Sequence, residues 1–255
     1  MAETLTFGSL FAGIGGFDIG LERAGMRCAW QVEIDSYATR VLEQHWPDVA
    51  RWRDIREFQP SSQNTVDVIC GGFPCQDISL AGPGTGLEGE RSGLWTEFRR
   101  IIGCLRPRYV IVENVAALLR RGIDRVCGDL AQLGYGSEWQ TFLASDFGLP
   151  HRRERIVIVA YPDEIVRREC EGVGLITDGP QEVFGTGSTE RAAVRVQTFD
   201  HLVGIDDGVS RQSYSDRASC VGNAVIPPAF EWVGRRIIAF DRELRRHLKS
   251  KLTGV

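Results

Sequence analysis

Short apolar runs alternate with amphipathic stretches over the first 160 residues. Thr4–Phe7 reads as a strand that leads into a glycine-rich turn at 13–16, and 17–24 reads as a helix stopped by Gly25, a favoured residue just past a helix end. Cys28–Ile34 is the next strand and 35–45 the next helix, halted by Pro47. Val66–Cys70 and Tyr109–Glu113 are apolar enough for buried strands, with helices predicted at 93–105 and 124–133. Arg153–Ala160 is a late strand. Strands alternating with helices predict an α/β fold with a parallel sheet covered on both faces.

The pattern changes after Pro162. Residues 172–190 are rich in Gly, Thr and Ser without a period, so 161–215 reads as an irregular subdomain or a mobile loop. Order returns at 227–248, where Phe230, Val233, Ile237, Phe240, Leu244 and Leu248 recur every three or four residues. That helix must pack on the first domain, because 161–226 offers no apolar core. There is no internal repeat.

Composition narrows the class. The chain has 255 residues, 43% hydrophobic and 25% charged, enough for one sizeable α/β domain with at most a small appendage. No apolar run approaches the roughly 18 residues of a membrane span, and the first residues lack the pattern of a signal peptide. A cytoplasmic protein with no membrane association is expected. The seven cysteines, at 28, 70, 75, 104, 127, 170 and 220, are odd in number and contain no C-x-x-C. That argues against a disulfide framework and a zinc site, and most of these thiols read as small buried groups. The net charge of −4 is uneven: residues 1–67 carry six Arg and ten acids, whereas 235–251 carry seven basic residues and two acids. Of the 30 basic residues 28 are Arg, which matches a phosphate or base edge bidentately but also follows from codon bias in a GC-rich genome.

Two segments carry candidate chemistry. Phe11-Ala-Gly-Ile-Gly-Gly16 joins a strand to a helix, where glycines admit close backbone approach and the helix N-terminus offers free N–H groups. It is not G-x-G-x-x-G. Glu33, some 20 residues on, has the spacing of an acid that binds a ribose hydroxyl, and Asp54-Ile55 falls at the adenine end. A nucleoside with an anionic tail, such as S-adenosylmethionine, fits better than NAD. Phe11 has a plain core reading as well.

The second segment, Gly71-Gly-Phe-Pro-Cys-Gln76, follows the third predicted strand. It places Cys75 at a strand's carboxyl end, whereas Cys70 reads as core. The next twenty residues hold five glycines and a proline, a composition that suits a closing loop. Strand 109–113 ends in Glu113-Asn114 at the same sheet edge. Arg153 and Arg155, two apart on a strand, share a face that Val157 and Val159 continue inward, and Glu154 points the other way. A thiol, a carboxyl and two guanidiniums suit a polar planar substrate, and a nearby Arg would lower the thiol pKa.

With these segments in order, the chain resembles the DNA (cytosine-5)-methyltransferases: FAGIGG at 11–16, VEID at 32–35, GFPCQ at 72–76, ENV at 113–115, HRRERIVIVA at 151–160 and VGNAV at 221–225. The resemblance covers 4–160 and 219–240. It implies a Rossmann-like S-adenosylmethionine-dependent methyltransferase fold whose sheet the final segment completes. It divides the chain into a catalytic domain, 1–160 and 218–250, and a reduced target-recognition segment, 161–217. It implies S-adenosyl-L-methionine as methyl donor, S-adenosyl-L-homocysteine as product and a flipped-out cytosine of double-stranded DNA as acceptor.

By the same resemblance Cys75 is the nucleophile, Glu113 binds ring N3 and the exocyclic amine, Arg155 contacts the cytosine carbonyl with Arg153 beside it, and Asn114 holds the Cys75 loop. Phe11 packs on the adenine, Glu33 binds the ribose, Ile34 flanks the ring and Asp54, with Ile55, meets the adenine edge. Ala12, Gly13, Gly15, Gly16, Gly72 and Pro74 line the cofactor, while Leu94, Asn223 and Ala224 take its methionine end. Gln76, Ser79 and Arg91 are candidates to touch DNA.

The chain departs from the family in its recognition half. Residues 161–221 are few, and Ser210–Cys220 is a poor remnant of the usual motif there. A short or relaxed target, or dependence on a partner, follows, because direct base readout needs several side chains in a groove. Basic residues at 167–168, 191–195 and 235–251 could contact phosphates, with a solvated helix face as the plain alternative for the last. Compact forms of this kind resemble phage or bacterial enzymes, and a monomer, with a cognate restriction endonuclease or specificity partner, is the expected setting. Two other readings stay open: an RNA cytosine-5 methyltransferase, against which stands the lack of a Cys-Phe-Thr signature, and a poorly active protein that binds cytosine sites in DNA.

Overall fold

The computed structural model describes residues 4–74, 93–149, 153–162, 175–176 and 225–253. Its seven strands are β1 (Thr6–Leu10), β2 (Arg27–Val32), β3 (Ala50–Trp52), β4 (Val68–Gly72), β5 (Tyr109–Val115), β6 (Tyr135–Leu143) and β7 (Glu154–Pro162). They form one sheet in the order β3-β2-β1-β4-β5-β7-β6. The helices are α1 (Gly16–Ala24), α2 (Ser36–His45), α3 (Leu94–Leu105), α4 (Leu118–Arg121), α5 (Ile123–Gln132) and α6 (Pro227–Thr253). The strand order turns back at β1, which pairs in parallel with both β2 and β4. Ligand crevices in open α/β sheets open at such a switch point, outside the carboxyl ends of the strands.

The expected all-parallel sheet needs one correction. β7 runs antiparallel to both β5 and β6. β6 and β7 are joined by a short link through a 3₁₀ turn at Ala144–Phe147, too short for the crossover that parallel pairing requires. β6 escaped the sequence reading because it is an edge strand, Tyr-Gly-Ser-Glu-Trp-Gln-Thr-Phe-Leu, with mostly half-buried polar positions. β3 is three residues long, below any detectable period.

Strand alternation sends side chains into two cores. Phe7, Cys70, Ile111, Val157 and Val159 join Phe17 and Leu21 of α1 and Phe230 and Ile237 of α6. On the other face Ile69, Val110, Val112, Ile156 and Ile158 join Trp95, Phe98 and Ile101 of α3 and Val126 of α5. α6 packs on the first domain, as its apolar face requires. Phe230 lies against Phe17 with ring centroids 4.0 Å apart. Small residues let the helices approach: a methyl on Gly20 would lie 2.5 Å from the Pro227 carbonyl oxygen, and one on Gly234 would lie 2.8 Å from the Ala24 Cβ. The final described segment therefore completes the helical layer; the described strands all fall between residues 6 and 162. Among the described residues no helix is long and apolar enough to cross a membrane. Cys28 and Cys70 are buried as expected, Cys127 is half-buried and Cys104 is exposed.

Candidate active site

The first half of the site grows from the end of β1. Phe11 holds a left-handed backbone at φ 52°, rare for a residue with a side chain, and Gly13 and Gly15 follow at 55° and 88°. This succession turns the chain abruptly into α1 and leaves Phe11 half-buried, its ring 6.3 Å from Phe98. Ala12 is buried, and Gly16 faces Val225, whose carbonyl oxygen would be 2.8 Å from a methyl there. The segment before α6 thus returns to the glycine turn.

Glu33, just past β2, accepts hydrogen bonds from the Gly13 N–H at 2.6 Å and the Asp35 N–H at 2.7 Å. Burial raises its proton affinity despite these donors. Ile34 beside it is 57% exposed, an apolar side chain turned to solvent just past β2. Asp54 is gripped by Arg56, whose Nη2 lies 2.6 Å from Asp54 Oδ2, and these bonds hold its carboxyl below the usual range. Ile55 is buried in the core that α3 covers.

The second half lies at the ends of β4 and β5, adjacent strands in register from Val68–Tyr109 to Gly72–Glu113. A methyl on Gly71 would lie 2.7 Å from the Leu10 carbonyl oxygen, and one on Gly72 would lie 2.7 Å from Glu113 Oε2. The two glycines therefore make room for β1 and for the Glu113 carboxyl. Glu113 is 7% exposed, and Arg155 Nε lies 2.9 Å from its Oε1. Burial raises the Glu113 pKa; Arg155 and Arg153 pull the other way and do not cancel it. Asn114 donates from Nδ2 to the Phe73 carbonyl at 3.1 Å, while its Oδ1 accepts the Val115 N–H at 2.9 Å. Phe73 packs on Trp95, Pro74 is half-buried, and Leu94 opens α3.

Of the residues singled out from the sequence, the structure brings Gly72, Phe73, Glu113, Asn114, Arg153 and Arg155 to one edge, with Phe11, Gly13, Glu33 and Ile34 beside them across β1. Glu154 is exposed and points away from Arg155, as the alternation required. Cys75, Gln76, Ser79, Arg91, Asn223 and Ala224 lie outside the described residues.

One buried group escaped the sequence reading. Asp18, in the first turn of α1, accepts from Ser9 Oγ at 3.1 Å, Gln31 Nε2 at 2.7 Å and Cys28 Sγ at 3.4 Å. An acid in a first helical turn passes for a simple complement to the helix dipole. The available signal was its place between the apolar Phe17 and Ile19, three before the buried Leu21.

This geometry stands on a chain whose residues 5–176 match the C-5 cytosine-specific DNA methylases, and the protein belongs to that family. Among curated relatives, Type II methyltransferase M.Eco47II of Escherichia coli is 31% identical over 256 residues, 96% of this chain and 57% of its own length. M.NgoFVII of Neisseria gonorrhoeae is 34% identical over 157 residues, 59% of this chain and 42% of its own. The chain spans about half the length of the curated relatives it matches. The fold is that of methyltransferases of known structure. Entamoeba histolytica EhMeth superposes with a TM-score of 0.65 at 14% identity, covering 96% of this chain and 99% of that one. A DNA modification methyltransferase encoded in an E. coli prophage gives 0.63 at 16%, covering 92% and 99%.

Proposed function

We propose that the protein transfers a methyl group from S-adenosyl-L-methionine to carbon 5 of cytosine in double-stranded DNA, through a covalent bond to Cys75. The observation that carries this reading is the buried Glu113 carboxyl, paired with Arg155 and seated over Gly72, three residues before Cys75. When bound, S-adenosyl-L-methionine supplies an electrophilic methyl group. We assign Glu33 to the ribose hydroxyls, Phe11 and Ile34 to the two sides of the adenine, and Asp54 with the Ile55 N–H to its edge. Leu94, Asn223 and Ala224 are assigned to the methionine end, with Ala12, Gly13, Gly15, Gly16 and Pro74 as backbone lining.

The cytosine must leave the helix to reach this edge. Cys75 Sγ then bonds to carbon 6, breaking the 5,6 double bond. Glu113 gives its proton to ring N3 as electron density moves into the ring, a role for which a carboxyl of raised pKa is suited. Arg155, with Arg153 beside it, holds the Glu113 carboxyl and the ring carbonyl. Carbon 5 takes the methyl group, leaving S-adenosyl-L-homocysteine. Loss of the carbon 5 proton to water expels Cys75 as the thiolate and restores the 5,6 double bond, and ring N3 returns its proton to Glu113. Asn114 fixes the Phe73 carbonyl and so the approach of the Cys75 segment. Gln76, Ser79 and Arg91 are assigned to the DNA.

The short segment 161–217 sets a short or relaxed target, and a cognate endonuclease or specificity partner is the class of companion this implies. The test is transfer of a labelled methyl group to unmethylated DNA, followed by sequencing of methylated cytosines. Wild type is expected to label carbon 5 of cytosine and Cys75→Ser to lose transfer by roughly a thousandfold or more. Undiminished transfer by Cys75→Ser sinks the mechanism, and methylation of RNA alone moves the substrate.

A further inference from the structure

We propose that Arg100 is a positioning residue for adenine recognition, acting through the turn at 54–58; the proposal rests on the cofactor reading above. That turn is a single helical loop: the Asp54 carbonyl accepts from the N–H groups of Glu57 at 3.0 Å and Phe58 at 3.1 Å. At its start the Asp54 carboxyl receives the Arg56 N–H at 2.9 Å. At its end the carbonyls of Ile55 and Phe58 have no helix to continue into. Arg100 reaches across from α3 and donates from one nitrogen, Nη2, to both: 3.1 Å to Ile55 and 2.9 Å to Phe58. Its Nε donates to Glu97 Oε2 at 2.7 Å, which fixes the guanidinium plane. A planar group with several fixed donors does this; an ammonium cannot hold the same three oxygens in that geometry.

The capped turn presents two groups in sequence at its other end. The Asp54 carboxyl is an acceptor, and the Ile55 N–H makes no hydrogen bond among the described residues. Acceptor beside donor is the complement of the adenine edge, where the amine donates and ring N1 accepts. The Ile55 N–H and the carbonyl that Arg100 grips lie in the two peptide planes that meet at the Ile55 Cα, so a shift of that residue moves the donor. α3 also sets the opposite wall, since Phe98 packs on Phe11. One helix therefore fixes the spacing between the Phe11 side and the edge-reading side. Phe58 is separately held by Trp52 and Trp30, with ring centroids 4.7 and 5.1 Å away. Removing the guanidinium thus leaves the turn anchored and changes its orientation.

The experiment compares calorimetric binding of S-adenosylhomocysteine with its inosine counterpart, in which an oxo group replaces the amine and N1 carries a proton. Full-length wild type, Arg100→Met, Arg100→Lys and Asp54→Ala are measured. Arg100→Met keeps the apolar stem and removes the donors. It is expected to bind S-adenosylhomocysteine roughly tenfold more weakly and to lose a similar factor of its preference over the inosine compound. KM for the methyl donor should rise with little change in kcat. Arg100→Lys should fall about threefold. An unchanged preference in folded Arg100→Met overturns the proposal. If Arg100→Met does not fold, an unchanged preference in Arg100→Lys overturns it. If Asp54→Ala also keeps the wild-type preference, the adenine reading of this turn fails as well.

Discussion

Burial raises the pKa of two carboxyls, Asp18 and Glu113, with different consequences. Asp18 is fully buried with neutral donors around it, and the nearest cationic link is indirect: Arg51 Nη2 donates at 2.7 Å to Gln31 Oε1, not to Asp18. Burial therefore outweighs the hydrogen bonds and raises its pKa. A raised carboxyl binds its proton more readily folded than unfolded. Stability linked to it is fully present below the unfolded value of 3.8 and is lost as pH rises through the higher folded value. Asp18→Asn should flatten the fall in urea-measured stability as pH rises above the unfolded value of 3.8, leaving the part due to Glu33 and Glu113. An unchanged slope would show that Asp18 stays ionised throughout. Glu113 needs its raised pKa for a different purpose. Glu113→Gln keeps a donor but cannot release a proton, so kcat should drop about 10²- to 10⁴-fold while S-adenosylhomocysteine affinity holds. Turnover in wild type should likewise decline as pH rises through the Glu113 titration, and a rate indifferent to both changes would remove the acid from the mechanism.

At the scale of elements, α1 and α6 approach each other closely because Gly20 and Gly234 carry no side chain at the contact. Gly20→Ala puts a methyl 2.5 Å from the Pro227 carbonyl oxygen and 2.9 Å from Phe230 Cβ, so backbone must move. A loss of about 1–3 kcal/mol is expected by chemical denaturation. Gly128→Ala, in α5 with nothing within 4 Å of the added methyl, should gain roughly 0.5–1 kcal/mol from helix propensity. Equal effects at the two positions would contradict the packing account. The long periodic elements were legible in the sequence: β5 as an unbroken apolar run, α6 from its repeat of Phe230, Val233 and Ile237. Arg155 was legible because strand alternation separates it from Glu154. What was not legible is the pairing that brings it to Glu113. That depends on β7 entering antiparallel with Val115 opposite Arg155 and Glu113 opposite Val157, and no local pattern encodes the direction of a neighbouring strand. Arg100 was hidden for a similar reason, since its partners are backbone carbonyls 42 and 45 residues away.

For the whole molecule, the last described helix closes the first core. Phe230, Trp232, Val233, Ile237 and Leu244 are all buried, each worth ~1.5–3 kcal/mol, on the order of 10 kcal/mol together. That is comparable with the entire stability of a domain, about 5–15 kcal/mol. Polar ties add to it. Asp241 is buried and accepts from Tyr109 Oη at 3.1 Å and Arg245 Nε at 2.7 Å, and Arg108 pairs with the same carboxyl. Glu138 of β6 accepts the N–H groups of Leu175 and Ile176 at 2.6 and 3.0 Å, and Arg236 of α6 donates to the Leu175 carbonyl. These ties also occupy part of the basic stretch at 235–251: Arg235 pairs with Glu231 and Arg245 with Asp241, which lessens what this stretch can offer to phosphates. A fragment ending at residue 224 would expose Phe17, Leu21 and Phe142 and leave Tyr109 without its acceptor. It should show no cooperative thermal transition by circular dichroism, and a separate peptide of residues 225–253 should restore one. A fragment that melts as sharply as the full chain would mean that the sheet and its other helices stand without α6, and that the close glycine contact serves only to seat Val225 against the glycine turn.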